Sequence, residues 1–318
     1  MELRSRRKVQ NAGPDLVTNA AITTANSLTP FLSLLSQEMK NHIYELVLGG
    51  NLIHIKRDLI ISRRDVVHST KGDIKEQRFT HQICSSHISE EDAEDRFYAE
   101  QDSCLYVRDI ELRHSRCGTA TLDGTTPAPS RMDINLLHAC RQIYNEARFM
   151  PYSFNTFSFD SPRNLRAFVH LLIRRGVNVN EAIRSLHIDL LHVNHDLHGW
   201  FQAFNAVTQH MTLLEKVFIN VDQKPYWSIS DDDDQKILAM KPVMICLAIL
   251  RNTPIKSAAI VVSDRFLARS SATSLSRLSN FDIECRWCLW VKKLWADAIK
   301  EGILGRQRSG SENTDGAE

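Results

Sequence analysis

The chain has 318 residues, enough for one large domain or two small ones with a sizeable hydrophobic core. Its 39 basic and 38 acidic side chains nearly cancel, so the overall charge gives no attraction to nucleic acid or to an anionic membrane. No apolar run reaches about 18 residues, and the basic N-terminus is followed by polar residues, which argues against a membrane span and a secretory signal. Seven scattered cysteines do not resemble a disulfide framework. These features predict an intracellular protein, cytoplasmic or nuclear.

The first predicted helix follows a polar segment, residues 1–28, that we expect to be disordered. Ser36 is a suitable N-cap, and the Gly49-Gly50 pair supplies a stop. The apolar positions between them form one helical stripe, which we expect to be buried: Met39, Ile43, Leu46 and Val47.

The segments after this helix are less regular. Residues 52–55 alternate as a strand, and we expect them to form a hairpin with residues 59–61. From about 65 to 130 the pattern loosens into a long, partly irregular insertion that contains an acidic helical stretch, Glu90–Glu100. Order returns with a helix that stops at Pro151 and has an apolar stripe of Leu137, Cys140, Ile143, Tyr144 and Ala147.

The second half of the chain alternates strands and helices. Strands are predicted at 154–159, 183–190, 214–221 and 258–262, and the last helix at 282–304, before a polar tail, 305–318, that we expect to be disordered. The predicted buried helical residues include Leu165, Phe168, Val169, Leu172, Ile173, Trp200, Phe201, Phe204 and Val207. Strand–helix units of this length imply parallel strands with right-handed crossovers. The predicted fold is a mixed α/β fold with a mainly parallel sheet, arranged as irregular leucine-rich-repeat-like units or as a doubly wound sheet.

Three segments together resemble a known group of proteins: residues 31–48, 136–147 and 151–159. The combination is similar to a large group of filamentous-fungal proteins that carry an F-box-like domain of unknown function. Within it, Leu34–Met39 is similar to the opening of an F-box and Ala139–Arg141 to its closing part. The resemblance implies a split F-box-like region over residues 29–160, followed by the strand–helix region over 161–304. It also implies a possible partner, the Skp-type adaptor of cullin-based ubiquitin ligases.

Two His-x-x-Cys pairs in the insertion suggest a metal site. They are His81 with Cys84, and His114 with Cys117. Two thiolates and two imidazoles suit tetrahedral zinc, and a bound metal would cross-link and stabilise an otherwise irregular insertion. The alternative is chance, because the same segment offers further histidines and cysteines.

Other chemical signals in the sequence are weaker. His192, His195 and His198 cluster at a strand-to-helix junction near Asp189, a place where sites form in parallel α/β proteins. The Cys-x-x-Cys of residues 285–288 lies in an amphipathic helix, where packing is the better interpretation. Phosphate-binding glycine loops, nucleophile elbows and His-Glu-x-x-His are missing, so we assign no catalytic residue and no cofactor other than the hypothetical zinc.

The sequence therefore favours a non-enzymatic protein–protein interaction module, a substrate adaptor resembling F-box proteins. One alternative is an enzyme on a parallel sheet, with a site near His187, Asp189, His192 and His195. Another is a nucleic-acid role, which would need a local basic face built from the arginines Arg174, Arg175 and Arg184.

Overall fold

A computed structural model describes residues 21, 24–26, 28–60, 76–99, 110, 113–114, 117, 132, 134–174, 176, 182–191, 196–222, 233–263 and 289–305. The described helices are α1 (Pro30–Ser33), α2 (Gln37–Leu48), α3 (Glu90–Ala99), α4 (Asn135–Ala139), α5 (Arg141–Ala147), α6 (Met150–Ser153), α7 (Pro162–Arg174), α8 (Leu197–His210), α9 (Asp233–Ala248) and α10 (Leu289–Leu304). The described strands are β1 (Leu52–Ile60), β2 (Glu76–Ile83), β3 (Thr156–Phe159), β4 (Ser185–Leu191), β5 (Lys216–Asp222) and β6 (Ser257–Ser263). Most of the two segments predicted to be disordered lies outside the described residues.

The chain divides into two compact units that interleave in sequence. A helical unit comprises Met1–Gly49 and Asp133–Pro151, and an α/β unit comprises Gly50–Met132 and Tyr152–Glu318. The boundary predicted from the sequence lies between residues 160 and 161. The insertion after residue 65 belongs with the strand–helix region, because its described strand is part of the sheet and its described helix packs on the sheet.

The helical unit joins its two sequence segments through one small core. Leu32, Tyr44 and Leu48 from the first segment pack with Ile143 and Ala147 from the second. The Tyr44 hydroxyl donates a hydrogen bond to Glu146 Oε2 at 2.8 Å, across 102 residues of sequence. The two segments therefore form one folded unit.

The buried face of α2 differs from the predicted one. Lys40, Tyr44 and Leu48 form the buried stripe, whereas the predicted core residues Met39, Leu46 and Val47 are exposed by 55%, 71% and 45%. The predicted N-cap is present, because Ser36 Oγ accepts a hydrogen bond from the Met39 backbone N–H at 3.3 Å.

The second helix predicted for this unit is broken into two. Cys140 has extended backbone angles (φ −159°, ψ 163°) and separates α4 from α5. Its sulfur accepts a hydrogen bond from the Ile143 backbone N–H at 3.5 Å and so caps the start of α5.

The α/β unit is built on a six-stranded sheet in the order β2-β1-β3-β4-β5-β6. β1 and β2 are antiparallel, and every other neighbouring pair is parallel, which confirms the predicted mainly parallel α/β fold. The hairpin predicted at residues 52–61 is wrong, since β1 runs unbroken from Leu52 to Ile60 and pairs with β2. From β3 to β6 the strands follow their sequence order, so this part of the sheet has no point where the order reverses.

One face of the sheet, which we call the first face, forms the main core with α7, α8, α9 and α10. Alternate strand residues point into it, and each fully buried large apolar side chain contributes about 1.5–3 kcal/mol. Right-handed crossovers place their helices on the same side of a sheet when successive strands are added in one direction along it. The strands from β3 to β6 follow in this way, which explains why these helices share the first face. Ile173 and Phe201, predicted to be buried, are exposed by 42% and 43%. Core residues include Ile53, Phe157, Leu165, Phe168, Leu186, Ile188, Phe204, Val217, Ile219, Ile260 and Trp295.

The other face, which we call the second face, is unusually polar for a buried surface. Its strand residues include Ser158, His187, Asp189 and Asn220, all buried. The insertion covers part of this face through α3, whose Ala93 and Phe97 pack with Ile110 and Val261. The second face therefore needs hydrogen-bond partners from the insertion, because buried polar groups are costly when unpaired.

Helix α3 also protects β6, one of the two edge strands of the described sheet. Glu94 Oε1 accepts a hydrogen bond from the Ile260 backbone N–H at 3.0 Å. The Tyr98 hydroxyl donates to the Ile260 carbonyl and accepts from the Val262 N–H, both at 3.1 Å. Two side chains thus satisfy backbone groups that an unprotected edge would offer to another strand.

None of the helices in the described residues is long and apolar enough to cross a membrane.

Candidate functional site

Four histidine and cysteine side chains converge where the insertion meets the second face. His54 lies on β1, Cys84 directly follows β2, and His114 and Cys117 share a turn closed by a 3.0 Å hydrogen bond from the Cys117 N–H to the His114 carbonyl. Each residue offers one potential ligand atom, and these atoms all lie within 4.8 Å of one another. The strand, the end of its neighbour and the turn therefore build one cluster from residues far apart in sequence.

The distances inside the cluster are short. Cys84 Sγ lies 3.5 Å from Cys117 Sγ and 3.3 Å from His114 Nδ1. His114 is buried, while the other three side chains are partly accessible. The four residues form a compact N2S2 set near the protein surface.

Three of the four residues in the zinc hypothesis meet in this cluster, and the fourth, His81, does not. His81 is the ladder partner of Ile55, which packs in the core on the first face. Ladder partners point to the same face, so His81 points away from the cluster, and its side chain is exposed. The fourth residue of the cluster is instead His54, which is paired with Gln82 and points to the second face.

A buried hydrogen-bond network lies directly behind the cluster, centred on Glu90 at the start of α3. Glu90 Oε1 contacts His114 Nε2 at 2.8 Å, and Glu90 Oε2 contacts Arg113 Nη2 at 2.5 Å and His187 Nε2 at 3.4 Å. Arg113 Nη2 also donates to Asn220 Oδ1 at 2.7 Å. The acidic start of α3 is thereby tied to the second face.

The network continues through His187 back to the cluster. His187 Nε2 lies 2.8 Å from Asn220 Nδ2, and His187 Nδ1 lies 2.8 Å from Ser158 Oγ. The same Ser158 oxygen lies 3.1 Å from His54 Nδ1. Each imidazole of the cluster therefore has one ring nitrogen held by a neighbouring group, Glu90 for His114 and Ser158 for His54.

The titratable groups of this network shift one another's pKa values. Although burial opposes its ionisation, the neighbouring His187, His114 and Arg113 hold the pKa of Glu90 well below its usual range. Burial lowers the pKa of His187 to about 3, so this imidazole is neutral near pH 7. Burial also opposes charge on His114, but hydrogen bonds with Cys117 and Glu90 raise its pKa.

The two thiols affect each other in opposite directions. Hydrogen bonding to Cys84, and then the proximity of His114 and His54, lowers the pKa of Cys117. Contact with Cys117, followed by burial, raises the pKa of Cys84. The arrangement favours at least one thiolate, which is the form that binds metal ions.

A comparison with protein-family models shows which family the chain belongs to. A domain of unknown function, DUF7730, matches residues 24–244, more than half of the chain. The chain belongs to this family. No curated protein and no solved structure matches it. The family description contains neither the F-box likeness nor a fungal source, so both stay predictions.

The DUF7730 match includes the four cluster residues, Glu90 and the whole of α2. Sequence reasoning missed His54 as a cluster residue. The signal was present in Leu52–Ile55, where His54 alternates with apolar neighbours and so points away from the core. Glu90 and Arg113 gave no sequence signal beyond their charge.

The remaining predicted site residues are not brought into one accessible site within the described residues. His187 and Asp189 are buried on the second face, while His192 and His195 lie outside the described residues. Arg184 is exposed and pairs with Glu215 at 3.2 Å. Arg174 is exposed, Arg175 lies outside the described residues, and so does the Cys-x-x-Cys pair at 285–288.

The helical unit carries a second candidate site, an apolar surface on α2. Met39, Leu46 and Val47, together with the partly buried Ile43, lie on one side of the helix at helical spacing. We call these four residues the α2 surface. Leu34, just before α2, is exposed by 80%.

Proposed function

We propose that the protein is a non-enzymatic protein–protein interaction module whose helical unit docks a Skp-type adaptor through the α2 surface. The observation that carries this proposal is the orientation of α2. Its polar and aromatic Lys40 and Tyr44 are buried, whereas the apolar residues of the α2 surface face outward. A stripe of exposed apolar side chains on one helix is typical of protein-binding surfaces.

The assembly of the helical unit supports the proposed partner. The segments that resemble the opening and closing parts of an F-box lie far apart in sequence. They share one core and the Tyr44–Glu146 hydrogen bond, so they fold together despite the intervening sheet and insertion. An adaptor that recognises a continuous helical surface would therefore meet both segments in one folded body.

The chemistry of the second face supports a non-enzymatic role. Glu90 and His187 have shifted pKa values, which often mark active sites. Both side chains are buried, and Glu90 is bonded to Arg113 and His114 while His187 is bonded to Asn220. Because these buried side chains bond one another, we propose that they act as structural links that hold the insertion on the second face.

The direct test is binding of the purified full chain to a purified Skp-type adaptor, measured by calorimetry. We expect measurable binding by the unaltered chain and a loss of at least about tenfold in affinity for Leu46→Glu, because a charge at a desolvated apolar contact costs more than 1.4 kcal/mol. Ile245→Glu is the matched control, since Ile245 is exposed by 58% on α9 in the other unit.

Two outcomes contradict the proposal. One is the absence of binding by the full chain at concentrations where an F-box protein saturates the adaptor. The other is equal weakening by Leu46→Glu and Ile245→Glu, which would mean that the α2 surface plays no special part.

A further inference from the structure

We infer that His54, Cys84, His114 and Cys117 bind one zinc ion in a closed tetrahedral site that anchors the insertion to the sheet. This inference is independent of the proposed docking function. It rests on the placement of the ligand atoms, on an unpartnered buried nitrogen and on the groups that hold the two imidazoles.

The distances fit a tetrahedral ion. Zinc–sulfur bonds of about 2.3 Å and zinc–nitrogen bonds of about 2.0–2.1 Å separate ligand atoms by roughly 3.3–3.8 Å. The Cys84 Sγ–Cys117 Sγ distance of 3.5 Å and the Cys84 Sγ–His114 Nδ1 distance of 3.3 Å agree with those separations. All four ligand atoms lie within 4.8 Å of one another, so closing around an ion requires shifts of about 1 Å or less.

The Nε2 atom of His54 needs a partner that the described residues do not supply. It is inaccessible to solvent and has no hydrogen-bond partner among the described residues. The Nδ1 atom of the same ring is bonded to Ser158, which leaves Nε2 as the atom available to a ligand. A bound ion would account for a buried ring nitrogen that otherwise loses its hydrogen bond to water.

Both imidazoles have the outer-shell contacts of metal-binding histidines. Such histidines donate their second N–H to a carboxylate, carbonyl or hydroxyl group, which fixes the ring and its tautomer. The second-shell group of His114 is Glu90, whose Oε1 lies 2.8 Å from His114 Nε2. The second-shell group of His54 is Ser158, whose Oγ lies 3.1 Å from His54 Nδ1. The site therefore has a first shell of four ligands and an ordered second shell.

The donor set selects zinc and a structural role. Two thiolates and two imidazoles form the Cys2His2 set typical of closed zinc sites, and four protein ligands leave no position for a substrate. Two thiolates also neutralise the double charge of the ion in this partly buried place.

A second possible set, formed by Glu90, His114 and His187, is less suitable. The Glu90 carboxylate is already paired with the Arg113 guanidinium, and His187 Nε2 is bonded to Asn220. A cation there would have to displace a buried arginine. In the set that contains His54, by contrast, the Nε2 atom of His54 has no hydrogen-bond partner among the described residues.

The ion would join three parts of the chain that are distant in sequence. It would connect β1, the end of β2 and the turn at residues 114–117, which lies 30 residues beyond Cys84. Binding would therefore hold the far end of the insertion beside the Arg113–Glu90 pair that covers the second face.

The first experiment measures metal in the purified full chain. We expect one zinc per chain by mass spectrometry of the metal, released by a thiol-modifying mercurial reagent. Replacement by cobalt(II) should give thiolate-to-cobalt charge-transfer absorption of two-thiolate intensity and the visible bands of a tetrahedral ion. Since both signals come from the unaltered chain, they do not depend on a variant that might fail to fold.

Variants then identify the ligands. His54→Ala, Cys84→Ser and Cys117→Ser should each lower zinc affinity by more than about 100-fold, since loss of a direct ligand exceeds the 10–100-fold effect of a second-shell partner. His81→Ala is the control for His54, because His81 is exposed and faces away. Cys140→Ser is the control for the cysteines, since serine retains the N-cap that Cys140 provides to α5.

Three results would overturn the inference. The first is a full chain that lacks zinc and shows no charge-transfer band with cobalt; a reactive Cys117 thiol in that chain would then indicate a metal-free thiolate–imidazolium pair. The second is retention of zinc by Cys84→Ser and Cys117→Ser. The third is loss of zinc in His81→Ala with retention in His54→Ala.

Discussion

Replacement of Arg113 by methionine tests the buried network most sharply. The Arg113 guanidinium donates to both Glu90 oxygens and to Asn220 Oδ1, and the side chains of Arg113 and Glu90 are exposed by only 2% and 6%. Methionine retains much of the volume but leaves the Glu90 carboxylate without its cation. Breaking a buried ion pair on one side costs about 3–5 kcal/mol, so we expect the free energy of unfolding to fall by that amount at pH 7.

The pH dependence of this loss follows from the depressed pKa of Glu90. A carboxylate with a lowered folded-state pKa stabilises the fold above its unfolded value, about 4.3, and this contribution disappears as the pH falls through the folded pKa. In Arg113→Met the pKa of Glu90 should rise, because its largest fixed positive neighbour is gone. The difference from the unaltered protein should therefore be largest near pH 7 and should shrink as the pH falls below that raised value.

The assay is equilibrium unfolding in urea at pH 7 and pH 5, with zinc supplied equally to all samples. Arg184→Met is the matched control, since Arg184 pairs with Glu215 at the surface and its side chain is exposed by 47%. An exposed pair contributes about 0–1 kcal/mol, so this control should change little. Equal effects of the two substitutions, or a loss for Arg113→Met that grows toward low pH, would refute the reasoning.

Three further predictions concern other contacts. Tyr98→Phe should lower the free energy of unfolding by about 1–3 kcal/mol in chemical denaturation, because it leaves two backbone groups of β6 unpaired, whereas Tyr144→Phe at an exposed site should change little. Glu90→Gln should weaken zinc binding about 10- to 100-fold in competition with a chromogenic chelator, since it removes the carboxylate that holds His114; unchanged affinity would contradict the second-shell role. Leu46→Glu should alter the unfolding free energy by no more than about 0.5 kcal/mol, because the residue is 71% exposed; a larger loss would mean that it is packed.

The repeating part of the fold was predictable because its strands are buried on both faces and separated by helices of ordinary length. In β4, Leu186, Ile188 and Leu190 alternate with polar residues and pack in the core on the first face. Gly176, with φ 67°, lies just beyond the end of α7. The pairing of β1 was not predictable in the same way. Its partner β2 lies beyond residue 60, inside the segment that looked irregular.

Two differences between prediction and structure, the buried face of α2 and the position of His81 outside the His–Cys cluster, have one physical origin. Periodicity shows which side chains share a face, but it does not show which face meets the rest of the protein. In α2 the buried stripe contains Lys40, and the apolar stripe is left outside. In the metal set, His81 and Cys84 are close along the chain, whereas His54 approaches from a neighbouring strand, a contact that spacing cannot reveal.

The interleaving of the two units decides how the protein can be dissected. The chain leaves the helical unit at Gly49 and re-enters it at Asp133. Truncation at residue 50 would delete the helix that carries Tyr44 and Leu48 and would expose Ile143 to water. A variant that lacks the helical unit must therefore lack both of its segments, Met1–Gly49 and Asp133–Pro151, because the apolar side chains of each segment are buried against the other.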